Sequence, residues 1–247
     1  MRTILATLLS IVLSTPAHAG PFERAQRQFA RVRQAFDAHL AEVQSDFEAG
    51  GAAWPPRGVY LRAFKHEGVI ELWAEPADKA ERVLVRSFLV CASSGVLGPK
   101  RREGDGQVPE GFYTIDRFNP RSSYHLSLGV DYPNAVDRAR AGDDPPGGDI
   151  FIHGNCVTIG CLPIEDGPIE ALYVIAVRAR DQGQKQIPIH ILPCRFGTEG
   201  CKAATAGADP EVAALWGLLA LVQAEFDATH LPPRYVARPT GYVRVGP

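Results

Sequence analysis

Residues 149–165 read DIFIHGNCVTIGCLPIE, and the reading of the fold turns on this stretch. Ile150, Phe151 and Ile152 form an apolar strand run that ends on His153, and a glycine-punctuated turn then delivers Cys161. A base and a thiol share one short loop. An imidazole placed there can take the thiol proton, or pair as imidazolium with the thiolate, which is the nucleophilic form of cysteine. Gly160 lets the backbone turn sharply, and with Gly154 it lets a substrate carbonyl come close to main-chain N–H groups, as an oxyanion pocket requires.

Working outward, the chain on either side alternates with period two. VYLRAFK (59–65) and VIELWAE (69–75) read as a hairpin, followed by strands in RVLVRSFLVC (82–91), FYTIDRF (112–118) and YHLSLGV (124–130). Downstream, Ile169, Leu172, Val174, Ile175 and Val177 predict a helix over 167–180, and IPIHILP (187–193) a closing strand. Helices flank this β-rich middle. Residues 21–48 carry Phe29, Val32, Phe36, Leu40 and Val43 at helical steps, ended by Gly50-Gly51 and Pro55-Pro56. A second helix starts at Asp209-Pro210 and presents Val212, Leu215, Trp216, Leu219 and Val222, and the proline-broken tail reads as a final strand pair. Residues 139–148 (RAGDDPPGG and its preceding alanine) read as a loop bordering the catalytic groove. The class is mostly β (α+β).

Composition bounds the function. A chain of 247 residues with 26 basic and 28 acidic side chains has no basic footprint for nucleic acid. Residues 1–19 (MRTILATLLSIVLSTPAHA) pair one arginine with an apolar run and a small-x-small ending, which predicts a signal peptide cleaved before Gly20. No later stretch reads as a membrane span, so an exported, periplasmic protein is expected. In an oxidising compartment the five cysteines leave one sulfur unpaired. If that one is Cys161, the other four allow three pairings. Cys91 with Cys156 is favoured because it would brace the nucleophile loop, with Cys194 and Cys201 closing the loop between them. Cys156, Cys161 and His153 offer zinc donors, but no fourth ligand is evident, and neither a metal nor a cofactor is expected. A non-catalytic wall-binding module with a Cys156–Cys161 disulfide is the rival of another class.

The HG…T-x-G-C pattern of His153-Gly154 and Thr158-Ile159-Gly160-Cys161 resembles the active-site motif of L,D-transpeptidase catalytic domains of the YkuD type. Ile159 stands where most of that family has a second histidine, and the spacer is short; both features resemble the YafK-like branch. VYLRAFK, SSGVLGPKRREGDGQVPEGFY (93–113) and LSLGVDYPNAVDR (126–138) extend the similarity in order along the chain, over roughly residues 55–200.

The resemblance implies a YkuD-like β-sandwich at 55–200 between an N-terminal helix (20–54) and a C-terminal helix and tail (201–247). It implies Cys161 as nucleophile and His153 as base, with a backbone carbonyl orienting the imidazole. The implied substrates are peptidoglycan stem peptides, attacked at the L-centre carbonyl of diaminopimelate. A stem-peptide amine as acceptor gives 3–3 cross-links, a lipoprotein lysine gives protein anchoring, and water gives hydrolysis. Members of the branch include an amidase that detaches protein from the wall, and the reading leans that way. Lys100 and Arg102 are candidates for binding a substrate carboxylate, since arginine offers a forked donor pair for it. Tyr132, Asn134 and Thr158 join them as candidate substrate contacts.

Overall fold

The computed structural model describes residues 19–246, so the leader read at 1–19 lies, apart from Ala19, outside the described residues. The expected N-terminal helix is two: α1 (Pro21–Gln26) and α2 (Ala30–Ala49). The chain turns at Arg27–Phe29, and Asp181, far along the chain, accepts hydrogen bonds from the Phe22 and Glu23 amides at 2.9 Å each and so caps α1.

The predicted hairpin is β1 (Tyr60–Phe64) and β2 (Val69–Ala74), followed by β3 (Val83–Leu89), β4 (Gly111–Asn119) and β5 (Ser127–Val130). Next come α3 (Ala135–Ala141), β6 (Phe151–His153), the two-residue β7 (Leu162–Pro163), α4 (Asp166–Asp181) and β8 (Ile187–Leu192). The chain ends in α5 (Glu199–Ala204), α6 (Pro210–Thr229) and a ribbon of β9 (Tyr235–Arg238) with β10 (Gly241–Arg244).

Eight strands form one mixed sheet in the order β3-β2-β1-β8-β4-β5-β6-β7. The predicted closing strand β8 lies inside it, parallel to β1 and antiparallel to β4. Bulges between Leu72 and Trp73 and between Ile115 and Arg117 add local bend to a sheet that already twists. One cluster of buried side chains joins the sheet to α4 and α2, with Phe36, Phe47, Leu72, Leu128, Ile152, Tyr173 and Val177 among its members.

Two expectations are corrected. Residues 135–141 are helical where a loop was read from 139: Asn134 accepts from the Val136 and Asp137 amides while Asp137 accepts from the Asn134 amide, a complete capping box. Second, α6 is 20 residues long with a mean hydropathy of 1.3, so one helix among the described residues does have the length and composition of a span. Its Leu215, Trp216, Leu219 and Val222 pack on Phe64, Phe112 and Leu192 of the sheet. That contact accounts for the apolar face that meets the sheet, while Leu221 stays exposed.

Candidate active site

The loop geometry follows from pairing on both edges of β6. On one side Ser127 lies opposite His153 and Leu128 opposite Ile152, antiparallel; on the other Ile152 pairs with Leu162 and His153 with Pro163, parallel. A parallel partner ten residues along forces the intervening chain to double back, which returns Cys161 to the strand that carries His153. Asn155 sits at φ 61°, which asparagine tolerates, with its amide donating to Asp166 Oδ1 at 2.8 Å. Gly160 has φ 132°, and a β-carbon there would lie 3.0 Å from the Gln107 carbonyl oxygen. Only glycine fits this approach.

His153 and Cys161 line one cavity of about 410 Å³ together with Tyr124, Ser127, Asp149 and Phe151. His153 is buried, 2% exposed. Its Nδ1 donates to the Gly154 carbonyl at 2.5 Å, so the neutral ring carries its proton there and leaves Nε2 as acceptor. The Tyr124 ring lies 4.8 Å away. Arg31 of α2 holds the turn beneath that ring, donating to the Ser122 and His125 carbonyls at 2.7 Å each. His125 itself points away, its Nε2 2.6 Å from Glu170 Oε1.

The Cys161 thiol donates to the Asp149 carbonyl at 3.5 Å. Burial lowers the imidazole pKa of His153, partly offset by the Gly154 carbonyl, and burial raises the thiol pKa of Cys161. Both shifts favour the uncharged pair over thiolate and imidazolium at rest. Cys161 also borders a second cavity of about 260 Å³, walled by Val90, Ala92, Ser94, Val96 and Leu97.

The sulfurs of Cys91 and Cys156 are joined, as are those of Cys194 and Cys201, and Cys161 is a free thiol. This corrects the rival reading of a Cys156–Cys161 bridge: Cys156 is already bonded to Cys91, whose amide also donates to Pro163 at 3.0 Å. The first bridge ties the end of β3 to the loop across 65 residues. In the chain-entropy account a closure of that length contributes about 4 kcal/mol. The double variant Cys91→Ala, Cys156→Ala is therefore expected to lose several kcal/mol in denaturant unfolding, with faster amide exchange over residues 154–160; unchanged exchange there would show that the bridge does not brace the loop.

Several candidate contacts have other tasks. Lys100 is buried, its Nζ bonded to Asp105 at 2.6 Å and to the Arg102 carbonyl at 2.8 Å, and it holds its own turn. The Arg102 side chain lines a different cavity, with Arg101, Arg140 and Asp144. Tyr132 donates to the Pro146 carbonyl at 2.9 Å, and Asn134 caps α3 and donates to the Tyr242 hydroxyl at 3.1 Å.

Thr158 is at the nucleophile but internally committed. Its hydroxyl accepts from the Gly160 and Cys161 amides at 3.1 and 2.8 Å and donates to the Cys161 carbonyl at 2.9 Å. The Gly154 amide is likewise used, shared between the Tyr124 and Leu126 carbonyls. An oxyanion drawing on the Gly160 and Cys161 amides has to displace the Thr158 hydroxyl. Sequence reading passed over Ser127. Ser127 carried no signal in the sequence, because its place opposite His153 comes from strand pairing.

Comparison with known proteins places this geometry. Residues 77–191 match the model of the YkuD L,D-transpeptidase catalytic domain. Among curated relatives, the "Putative L,D-transpeptidase YafK" of Escherichia coli K12 is 35% identical over 140 residues, covering 56% of this chain and 55% of that protein. The same protein in Escherichia coli O157:H7 matches equally. The chain thus spans about half the length of the curated relatives it matches. Among solved structures, the helical cell shape determining protein Pgp2 of Campylobacter jejuni matches with a TM-score of 0.45 and 20% identity, covering 68% of this chain and 58% of that one. Bd1075 of Bdellovibrio bacteriovorus matches with a TM-score of 0.38 and 16% identity, over 57% and 50% of the two chains.

Proposed function

We propose that the protein is a periplasmic cysteine acyl-transfer enzyme acting on peptidoglycan stem peptides at the diaminopimelate L-centre carbonyl, with water as its main acceptor. On this reading it is an amidase that releases wall-linked protein. The observation that carries the chemistry is the free thiol of Cys161 and the open Nε2 of His153 lining one cavity. His153 takes the thiol proton as sulfur attacks the carbonyl, since the pair is uncharged at rest. The tetrahedral intermediate collapses to a thioester as the imidazolium protonates the departing amine. Water, deprotonated by the same nitrogen, then attacks the thioester and returns the thiol. The Gly154 carbonyl holds the ring in the tautomer this cycle needs.

The lean toward water rests on the similarity to the YafK-like branch. Ile159, where most of the wider family has histidine, is 87% exposed beside the nucleophile and offers no hydrogen bond to an acceptor amine. The second reading, transpeptidation onto another stem peptide or a lipoprotein lysine, is favoured by the cavity on the far side of Cys161, where an acceptor has room. Incubation with protein-linked and with tetrapeptide-bearing muropeptides separates them by mass: released protein supports the amidase, and cross-linked dimers without release would overturn it.

The protonation states set a pH dependence. The base works when neutral, and burial holds His153 below the ordinary imidazole value of about 6.5. Turnover should therefore rise as pH climbs through a limb lying under pH 6.5. A limb above 7 in the pH profile of kcat/KM would contradict His153 as the base.

A further inference from the structure

The face of the sheet that bears His153 carries more than the active cavity. On β4, Tyr113 and Ile115 belong to the main core, so Phe112 and Thr114 point away from it. Beyond the bulge between Ile115 and Arg117, Phe118 packs on the core again, which leaves Arg117 and Asn119 on the same outer side. Three cavities follow one another there along β4: one of about 410 Å³ that includes Thr114, one of about 650 Å³ that includes Arg117, and the active cavity of about 410 Å³ that includes Asn119. Neighbours share a wall. Asp131 belongs to the first two and Asp149 to the last two. From Thr114 to Asn119 the strand advances roughly 15 Å, close to the reach of about four extended peptide residues.

The far cavity has its own chemistry. Phe112 and Tyr235 stack at 4.7 Å, and Pro188, Pro232 and Pro233 continue this apolar wall between the sheet and the C-terminal segment. His190, 4% exposed, also lines it. Its Nδ1 lies 2.7 Å from the hydroxyl of Tyr60, which has no other acceptor among the described residues and so donates to it. The ring hydrogen is then on Nε2, which has no hydrogen-bond partner among the described residues and is not sealed from solvent. Burial, and then Arg62, hold the pKa of His190 down to about 3, so the ring is uncharged. The exposed Gln186 adds an amide with no bond among the described residues, and Asp131 a carboxylate at the edge. Such a site suits a pyranose: its C–H face lies on the aromatic and proline rings, and its hydroxyl and acetamido groups meet the few polar side chains. We infer that this cavity is a saccharide subsite, which holds the N-acetylated amino sugar carrying the stem peptide while the peptide crosses the middle cavity to Cys161. This rests on the proposed peptidoglycan substrate.

The test is an NMR titration of backbone amides in the full chain, with a peptide-free disaccharide of N-acetylated amino sugars as the probe. Shifts should concentrate at residues 112–114, 186–190 and 232–237. Tyr235→Ala should weaken binding about tenfold through lost stacking, and Gln186→Ala about threefold through a lost hydrogen bond. The second variant removes an exposed, unbonded amide and so keeps the fold, whatever the first does to the ribbon. In turnover, wild type should favour a sugar-bearing tetrapeptide over the same peptide without sugar by about tenfold in kcat/KM, and both variants should shrink that preference. Absence of disaccharide shifts in this cavity, or shifts that both variants leave unchanged, would overturn the inference and leave the proposed function standing. Shifts there with the sugar-free tetrapeptide in place of the disaccharide would overturn it too, marking a peptide site. Disaccharide binding that both variants weaken, in a protein that processes no muropeptide, would keep the saccharide site and remove the proposed chemistry instead.

Discussion

Cys161→Ala is expected to abolish processing of muropeptides, a loss of at least about 10⁴-fold, because the thioester route has no other sulfur to use. The other four cysteines are bridged, so Cys161 is the free thiol of this chain. Its side chain makes one weak bond, to the Asp149 carbonyl, and the variant should keep the wild-type melting temperature within a few degrees. Loss of turnover with the fold intact is the signature of a nucleophile. Mass spectrometry should trap the acyl adduct on wild type and find none on the variant. Residual turnover above about 1% would require another nucleophile, and the mechanism proposed above would fall.

The second large effect is on stability. Glu110 is wholly buried: Oε1 accepts from the Gly98 amide at 2.8 Å and pairs with Lys65 at 3.0 Å, and Oε2 accepts from Trp216 Nε1 at 2.6 Å. Lys65 in turn donates to the Val96, Gly98 and Val108 carbonyls at 3.1, 2.9 and 2.9 Å. One carboxylate therefore ties α6 to the segment that walls the smaller cavity beside Cys161. Glu110→Ala strands a buried ammonium and an indole N–H, which should cost about 3–5 kcal/mol. At about 2–4 °C per kcal/mol, that lowers the melting temperature by roughly 10 °C. Adding Lys65→Met should restore part of the loss, since the stranded charge is then gone. A Glu110→Ala variant that melts within 2 °C of wild type would refute the coupling.

Local signals in the sequence carried most of the elements. Alternation located β1 to β5, and helical spacing located α4 and α6 within a residue or two. The order of the sheet was not available from such signals: β8 reads as a last strand yet inserts between β1 and β4, because right-handed crossovers and core packing, which no local window contains, decide neighbours. The break between α1 and α2 was hidden because Arg27–Phe29 carries no proline or glycine. The capping box at Asn134 and Asp137 was legible and was missed beside the more conspicuous Asp-Asp-Pro-Pro run.

The site divided along the same line. His153 and Cys161 stand eight residues apart in a motif, so chemistry and spacing marked them together. The roles of Lys100, Tyr132 and Asn134 depended on partners distant in the chain or hidden in turns, and the structure gives them internal bonds in place of a share in the groove. Thr158 belongs to the motif, but what its hydroxyl touches is set by the φ of 132° at Gly160, a torsion that residue identity permits without specifying.

The bridge from Cys91 to Cys156 bears on when the molecule becomes competent. A newly made chain in a reducing cytoplasm has five thiols and an untethered loop, so its nucleophile is neither singled out nor held in place. Crossing to an oxidising compartment closes the tether and leaves one sulfur reactive. On the export and amidase reading proposed here, maturation would double as a safeguard: the nucleophile is singled out only on the side of the membrane where the proposed substrate lies.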